Sequence, residues 1–173
     1  MKKPKCKVCK NEYNKFNSTQ KVCGPKCAIE LVKIAKDREF KKETRRLKEK
    51  IKSRSDWLRE AQTEFNKYVR LRDASEPCIS CGRHHNGQYH AGHYLSVGST
   101  PELRFHPYNN NKQCAPCNNH LSGNQVKYRV RLINKVGVDI VDWLEGPHEP
   151  QKLTIDDIKE IKEYYKEQLK LLK

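Results

Sequence analysis

Residues 78–94 read CISCGRHHNGQYHAGHY, two cysteines, four histidines and an Asn-Gly pair within seventeen positions. Cys78-x-x-Cys81 has a counterpart in Cys114-x-x-Cys117. Two such knuckles supply four thiolates, the ligand set of a closed, tetrahedral zinc site. A closed zinc cannot itself activate water. Its role is to clamp the start of this stretch to the start of a helix expected after Cys117, which pins everything between them. Asn86-Gly87 predicts a two-residue hairpin turn. Residues 88–95 are then expected to return as a strand, with Leu103-Arg104-Phe105 as a short second strand.

The pinned segment presents an unusual set of side chains. Tyr89-His90-Ala91-Gly92-His93-Tyr94 lies on the expected strand, Asn109 stands five residues before Cys114, and Asn118, His120 and Asn124 follow Cys117. If strand and helix pack together, these groups converge. They offer a general base, metal ligands and amide donors, but no serine or cysteine nucleophile, because the cysteines are taken by zinc. That set suits activation of water against an electrophile whose charge a divalent metal neutralises. His84 and His85 flank the expected turn, and they are expected, with His106 and His148, to be surface residues without a catalytic role.

Outward from this centre the chain is basic and poor in apolar residues. Of its 173 residues 35% are hydrophobic, and the formal charge is +15. A core this small needs a staple. Residues 1–60 hold 20 of the 36 basic side chains and only 8 of the 21 acidic ones. Such a balance points to a polyanion, most often nucleic acid. Cys6-x-x-Cys9 and Cys23-x₃-Cys27 predict a second zinc knuckle. The start, MKKPKCKVCKNEY, lacks the apolar region of a signal peptide, and no stretch approaches transmembrane length. A reducing cytoplasm is therefore expected, with zinc favoured over disulfides.

Helical spacing organises the rest. Residues 28–54 predict a charged helix, KKETRRLKEK at its centre, with Lys41, Lys42, Arg45, Arg46, Lys48, Lys52 and Arg54 as candidate contacts to DNA phosphates. Trp57, Ala61, Phe65 and Tyr68 make one apolar stripe over 56–72 and predict a docked helix. Gln125–Lys135 is expected to be helical and closed by Gly137, Asp139–Leu144 to form a short helix, and Thr154 to open the last helix with an Asp-based capping box. The expected organisation is a knuckle over 1–30, a helical DNA-binding segment over 31–72, and the zinc-stapled domain with its C-terminal helices over 73–173.

The order of these motifs resembles the HNH, or ββα-metal, nucleases. More closely, "PCISCG", "AGHY", "PELRF", "QCAPCNNHLSGN" and "YRVRLI" together resemble the NinG/Rap family of lambda-like phage recombination proteins, over most of the chain. The resemblance implies an α+β fold, a small zinc-stapled ββα-metal core surrounded by helices. It implies an endonuclease acting on branched recombination intermediates such as Holliday junctions and D-loops in the cytoplasm of a bacterial host, leaving a 5′ phosphate. By position it makes His93 the general base and Asn109 the residue that fixes the loop and orients it. Asn118, His120 and Asn124 are then candidate ligands of a catalytic Mg²⁺ or Mn²⁺. Where the family commonly has Asp, this chain has His90, a softer ligand that suits transition metals better. Arg104 is a candidate phosphate contact, and a homodimer would match the two-fold symmetry of a junction. The alternative is a non-catalytic, zinc-stapled nucleic-acid-binding module. A zinc deaminase does not fit, since there is no His-x-Glu.

Overall fold

The computed structural model describes residues 3–172 and falls into two compact units, Met1–Lys52 and Ser53–Lys173. The division is at neither 30/31 nor 72/73. Helix α1 (Pro25–Lys50) grows directly out of the N-terminal knuckle, and helix α2 (Arg54–Arg72) packs against the last helix of the C-terminal unit.

In the N-terminal unit, Cys6, Tyr13 and Val22 form a minimal core, joined by Val8, Cys27 and Leu31. Pro25 opens α1 where its missing N–H costs nothing. None of the 26 residues of α1 is buried. Packing therefore contributes little to this helix. Close charge pairs such as Arg46–Glu43 at 2.7 Å lie on it, and Lys41, Lys42, Arg45 and Lys48 are exposed.

The C-terminal unit begins with a capping box, in which Ser53 and Asp56 satisfy each other's backbone N–H groups at the start of α2. Ala61, Phe65 and Val69, four residues apart, are fully buried. They face helix α5 (Ile155–Leu171), whose Ile161 and Tyr165 complete the cluster. The Phe65 and Tyr165 rings meet edge to face at 4.7 Å, and the Tyr165 hydroxyl donates to the Phe105 carbonyl at 2.9 Å. The predicted Thr154 capping box is present, with Asp157 as its acid.

Strands β1 (Tyr89–His93) and β2 (Asn110–Cys114) form an antiparallel ribbon in which Tyr89 pairs with Cys114 and His93 with Asn110. After β2 come a π-helical turn (Pro116–His120), helix α3 (Gln125–Val136) and helix α4 (Val138–Glu145). Gly137, at φ +90°, lets the chain turn sharply between α3 and α4. Tyr94, Leu103, Tyr128, Leu132, Val141 and Leu144 form the core of this half.

Two expectations are corrected. Asn86-Gly87 is a bend rather than a hairpin turn, neither residue taking a positive φ, because β1 pairs with β2 and not with the residues before it. Leu103–Phe105 is not a strand. Pro101–Leu103 forms a 3₁₀ turn that buries Leu103, and the second strand is the polar run NNKQC.

Candidate metal centres and catalytic cleft

Each set of four cysteines comes together. The sulfurs of Cys6, Cys9, Cys23 and Cys27 lie within 4.8 Å of one another, as do those of Cys78, Cys81, Cys114 and Cys117. Sulfurs bound to one zinc at about 2.3 Å stand about 3.8 Å apart along a tetrahedral edge. The Cys9–Cys23, Cys23–Cys27 and Cys81–Cys114 separations are 3.7, 3.6 and 4.0 Å. The residues fit zinc, and the spacing is far beyond the roughly 2 Å of a disulfide.

Within the second cluster burial pushes the Cys114 thiol up to about 12 and that of Cys117 up as well, and Cys81 is the one whose neighbours favour thiolate. Burial pushes the Cys81 thiol up, but hydrogen bonds from His85 and the Arg83 backbone bring it down to about 6. His85 Nε2 lies 3.2 Å from Cys81 Sγ. His85 is therefore an outer partner of the cluster, whereas His84 is exposed. Asn124 takes a similar place. Held at φ +49°, it directs its amide to Cys117 Sγ at 3.7 Å, and it is not among the residues bordering the histidine cleft.

That cleft, of about 580 Å³, is bordered by Asn66 and Arg70 from α2, by Gln88, Tyr89, His90, Ala91 and His93, and by Asn118 from the π-helical turn. His90 and His93 are three residues apart, so a strand directs them to opposite faces. Both still reach the cleft at the edge of β1 that has no strand partner among the described residues.

His93 is fixed from behind. Its Nε2 lies 3.1 Å from the Arg104 carbonyl oxygen, which also accepts from Asn110 Nδ2 at 3.3 Å. A carbonyl only accepts, so Nε2 carries the proton and Nδ1 of the neutral ring keeps its lone pair. Burial, the largest influence, holds the imidazole below the usual histidine value; the Arg104 carbonyl opposes it, and the Arg104 charge adds to it. Asn109, fully buried, ties the loop down. Its Oδ1 accepts from the Leu95 backbone at 2.8 Å, and its Nδ2 donates to the Leu95 and Leu103 carbonyls at 3.0 and 3.2 Å.

His90 Nδ1 lies 3.0 Å from the Asn118 amide. The same Asn118 Nδ2 donates to Asn119 Oδ1 at 3.0 Å, so the pair would offer an imidazole nitrogen and an amide oxygen to a divalent cation only after the Asn118 amide turns over and gives up both bonds. No carboxylate borders the cleft among the described residues. His120 is exposed on the same turn and does not border the cleft.

Gly92 makes the ribbon possible here. A Cβ on it would stand 2.0 Å from Gln113 Oε1. Gln113 is buried and holds the second zinc loop, its Nε2 donating to Ser80 Oγ and the Gly123 carbonyl, both at 2.6 Å. Asn110, Asn66 and Arg70 were missed in the sequence. The only signal for the last two was their spacing of four on a helix flank. His106 and His148, expected on the surface, are half-buried with their rings 4.9 and 4.8 Å from that of Trp143.

No helix among the described residues is long and apolar enough to cross a membrane. No solved structure matches the chain. The Protein ninG of Escherichia phage lambda is 38% identical over 198 residues, covering 100% of this chain and 96% of its own. That of Escherichia phage 933W is 38% identical over 98% of this chain and 93% of its own. That of Salmonella phage P22 is 44% identical over 71% of this chain and 61% of its own. The family described as Bacteriophage Lambda NinG protein matches residues 1–173, and the chain belongs to that family.

Proposed function

We propose that this chain is a metal-dependent endonuclease of the HNH type that cleaves branched DNA, such as Holliday junctions and D-loops, with two structural zincs. The observation that supports it best is the tautomer that the Arg104 carbonyl gives His93, a residue that borders the same cleft as the His90–Asn118 pair and keeps a lone pair on Nδ1. Nδ1 takes the proton from the attacking water. The Arg104 carbonyl then stabilises the imidazolium through the hydrogen bond it already makes. His90 and Asn118 hold the catalytic cation, which when bound supplies Lewis-acid stabilisation of charge at the phosphoryl oxygens. Asn109 and Asn110 keep the loop that carries the Arg104 carbonyl in place. In-line attack breaks the P–O3′ bond, leaving a 5′ phosphate and a 3′ oxygen that takes its proton from solvent. The exposed cations of α1 hold the DNA backbone without reading sequence, so selectivity rests on the shape of the branch point.

The absence of a bordering carboxylate favours a second reading, a zinc-stapled binding module that holds branched DNA without cutting it. One assay separates them: nicking of matched linear duplex and four-way junction with Mg²⁺ and with Mn²⁺, by wild type and His93→Ala. Metal-dependent junction cleavage that is lost in a folded, DNA-binding His93→Ala protein supports the nuclease. Binding with no cleavage under either metal supports the module.

A further inference from the structure

The flank of α2 beside the cleft carries Gln62, Asn66 and Arg70 at successive turns. Gln62 links two of its neighbours. Its Oε1 accepts from Arg104 Nε at 2.8 Å, and its Nε2 donates to Asn66 Oδ1 at 2.8 Å. With its oxygen engaged, Asn66 has an unspent Nδ2–H pair at the cleft wall.

Arg70 is the anomaly. Three other cations of α2 have carboxylate partners, Arg59 with Asp56, Lys67 with Glu64 and Arg72 with Asp73, and Arg54 donates to the Leu153 carbonyl. Arg70 is half-buried in the cleft wall and, among the described residues, has neither an ion pair nor a hydrogen bond. Arg104 is likewise bonded only to a neutral amide, and it is held below the usual arginine value by burial and by the nearby charge of Arg54. Partly desolvated cations without counter-charge, gathered on one flank, cost stability in the free protein. They are explained by an anion that arrives with the substrate.

We infer that Arg70 and the Asn66 amide form a clamp for the backbone phosphate that enters the cleft, and that Arg104 takes a second phosphate of the same strand. Gln62, which holds Arg104, lies two helical turns, about 12 Å, along α2 from Arg70, far enough for the two cations to take different phosphates of one strand. The clamp reads phosphate and not base, so it serves any sequence. That the clamped phosphate is the one cut rests on the nuclease reading; the clamp itself requires only a nucleic-acid backbone.

The test uses the full chain carrying His93→Ala, so that DNA is bound and not turned over. Affinity for a four-way junction is measured from 50 to 200 mM salt, with and without Arg70→Gln. Each lost phosphate contact lowers the slope of log K against log salt by about 0.9. Arg70→Gln is expected to lower it by that amount, and Arg70→Lys to restore it. Lys166→Gln, a paired lysine on α5, is expected to leave it unchanged. Circular dichroism and zinc content show that each variant folds. An unchanged slope in a folded Arg70→Gln protein overturns the clamp, even where the wild type cuts junctions. A lowered slope together with a wild type that cuts nothing keeps the clamp and removes the nuclease reading.

Discussion

His93 and Arg104 are joined by a hydrogen bond from a ring nitrogen to a main-chain carbonyl, 3.1 Å long, in which only the imidazole can donate. The bond fixes which nitrogen carries the proton and which keeps its lone pair. Burial favours the neutral ring and moves its titration below the usual value near 6.5. A base works in its unprotonated form, so cleavage is expected to persist to lower pH than an ordinary histidine allows. The acid limb of the kcat/KM profile, which reports the free protein, is expected below pH 6.5. His93→Ala is expected to lower kcat by about 10²–10⁴-fold. An acid limb at or above 6.5 would assign the base elsewhere.

On the nuclease reading, the His90–Asn118 pair would set the metal preference. An imidazole and an amide favour Mn²⁺, Co²⁺ or Ni²⁺ over Mg²⁺, which prefers charged oxygen ligands. Wild type is expected to cleave better with Mn²⁺ than with Mg²⁺, and His90→Asp to shift the ratio toward Mg²⁺. Full Mg²⁺ activity in both wild type and His90→Ala removes His90 from the metal site.

Asn109 and Asn110 act on the loop and not on the substrate. Asn109 makes three hydrogen bonds across it, and Asn110 shares the Arg104 carbonyl with His93 and also donates to the His106 carbonyl. Asn109→Ala leaves buried backbone groups unpaired and is expected to cost about 2–3 kcal/mol in urea unfolding. Asn110→Ala is expected to reduce kcat more than KM, because it loosens the support of His93 while leaving the phosphate contacts intact. Equal changes in stability and no change in kcat would make both residues purely structural.

The same asparagines show where the sequence was legible. Helices with apolar residues at regular spacing could be read directly, as with Ile158-Ile161-Tyr165, the Thr154 cap and the Gly137 stop; on α2 the stripe caught Ala61 and Phe65 but took half-buried Trp57 and Tyr68 in place of the fully buried Val69. The cysteine spacing pointed to both four-cysteine clusters. The second strand was hidden because Asn110, Asn111, Lys112 and Gln113 look like a surface loop, yet all are buried. Two of these side chains are satisfied by distant partners, Asn111 by the Tyr128 hydroxyl, Arg72 and Lys135, and Lys112 by the Ala74 carbonyl, whereas Asn110 Oδ1 and Gln113 Oε1 are buried without a hydrogen-bond partner among the described residues. Periodicity reports apolar burial and is silent about polar burial compensated by tertiary hydrogen bonds. The Asn-Gly signal failed for a related reason: local turn preference yielded to the longer-range pairing of β1 with β2. Within the cleft, motif order pointed to His90, His93 and Asn118, whereas Arg70 and Asn66 came from a helix outside the motif.

Metal removal is expected to act on both units. The N-terminal knuckle has a core of only a few residues, so a zinc held by its four cysteines would supply much of its folding free energy. Two zinc ions per chain are expected on release with a chromogenic thiol reagent. Cys9→Ser is expected to lose one and to retain the C-terminal unit, whereas Cys114→Ser is expected to lose the other and abolish cleavage. A zinc count of two in Cys114→Ser would separate the second cluster from metal binding.

Asp73 ties α2, β2 and α3 together. One carboxylate oxygen accepts from Arg72 at 2.7 Å and from the Lys112 backbone at 3.1 Å, and the other from Lys135 at 2.9 Å. Burial pushes its carboxyl up, but the Arg72 hydrogen bond and charge, followed by those of Lys135, bring it below the usual aspartate value. A carboxyl depressed in the folded state stabilises the fold above its unfolded value near 3.9. That contribution is lost as pH falls through the lower folded value. Asp73→Asn is expected to destabilise the C-terminal unit by about 3 kcal/mol, the low end for breaking a buried pair, because Arg72 and Lys135 keep 22% and 30% side-chain exposure. Its unfolding free energy is also expected to be flatter than that of the wild type between pH 5 and pH 3. Parallel pH curves for the two proteins would mean that another carboxylate governs the acid transition.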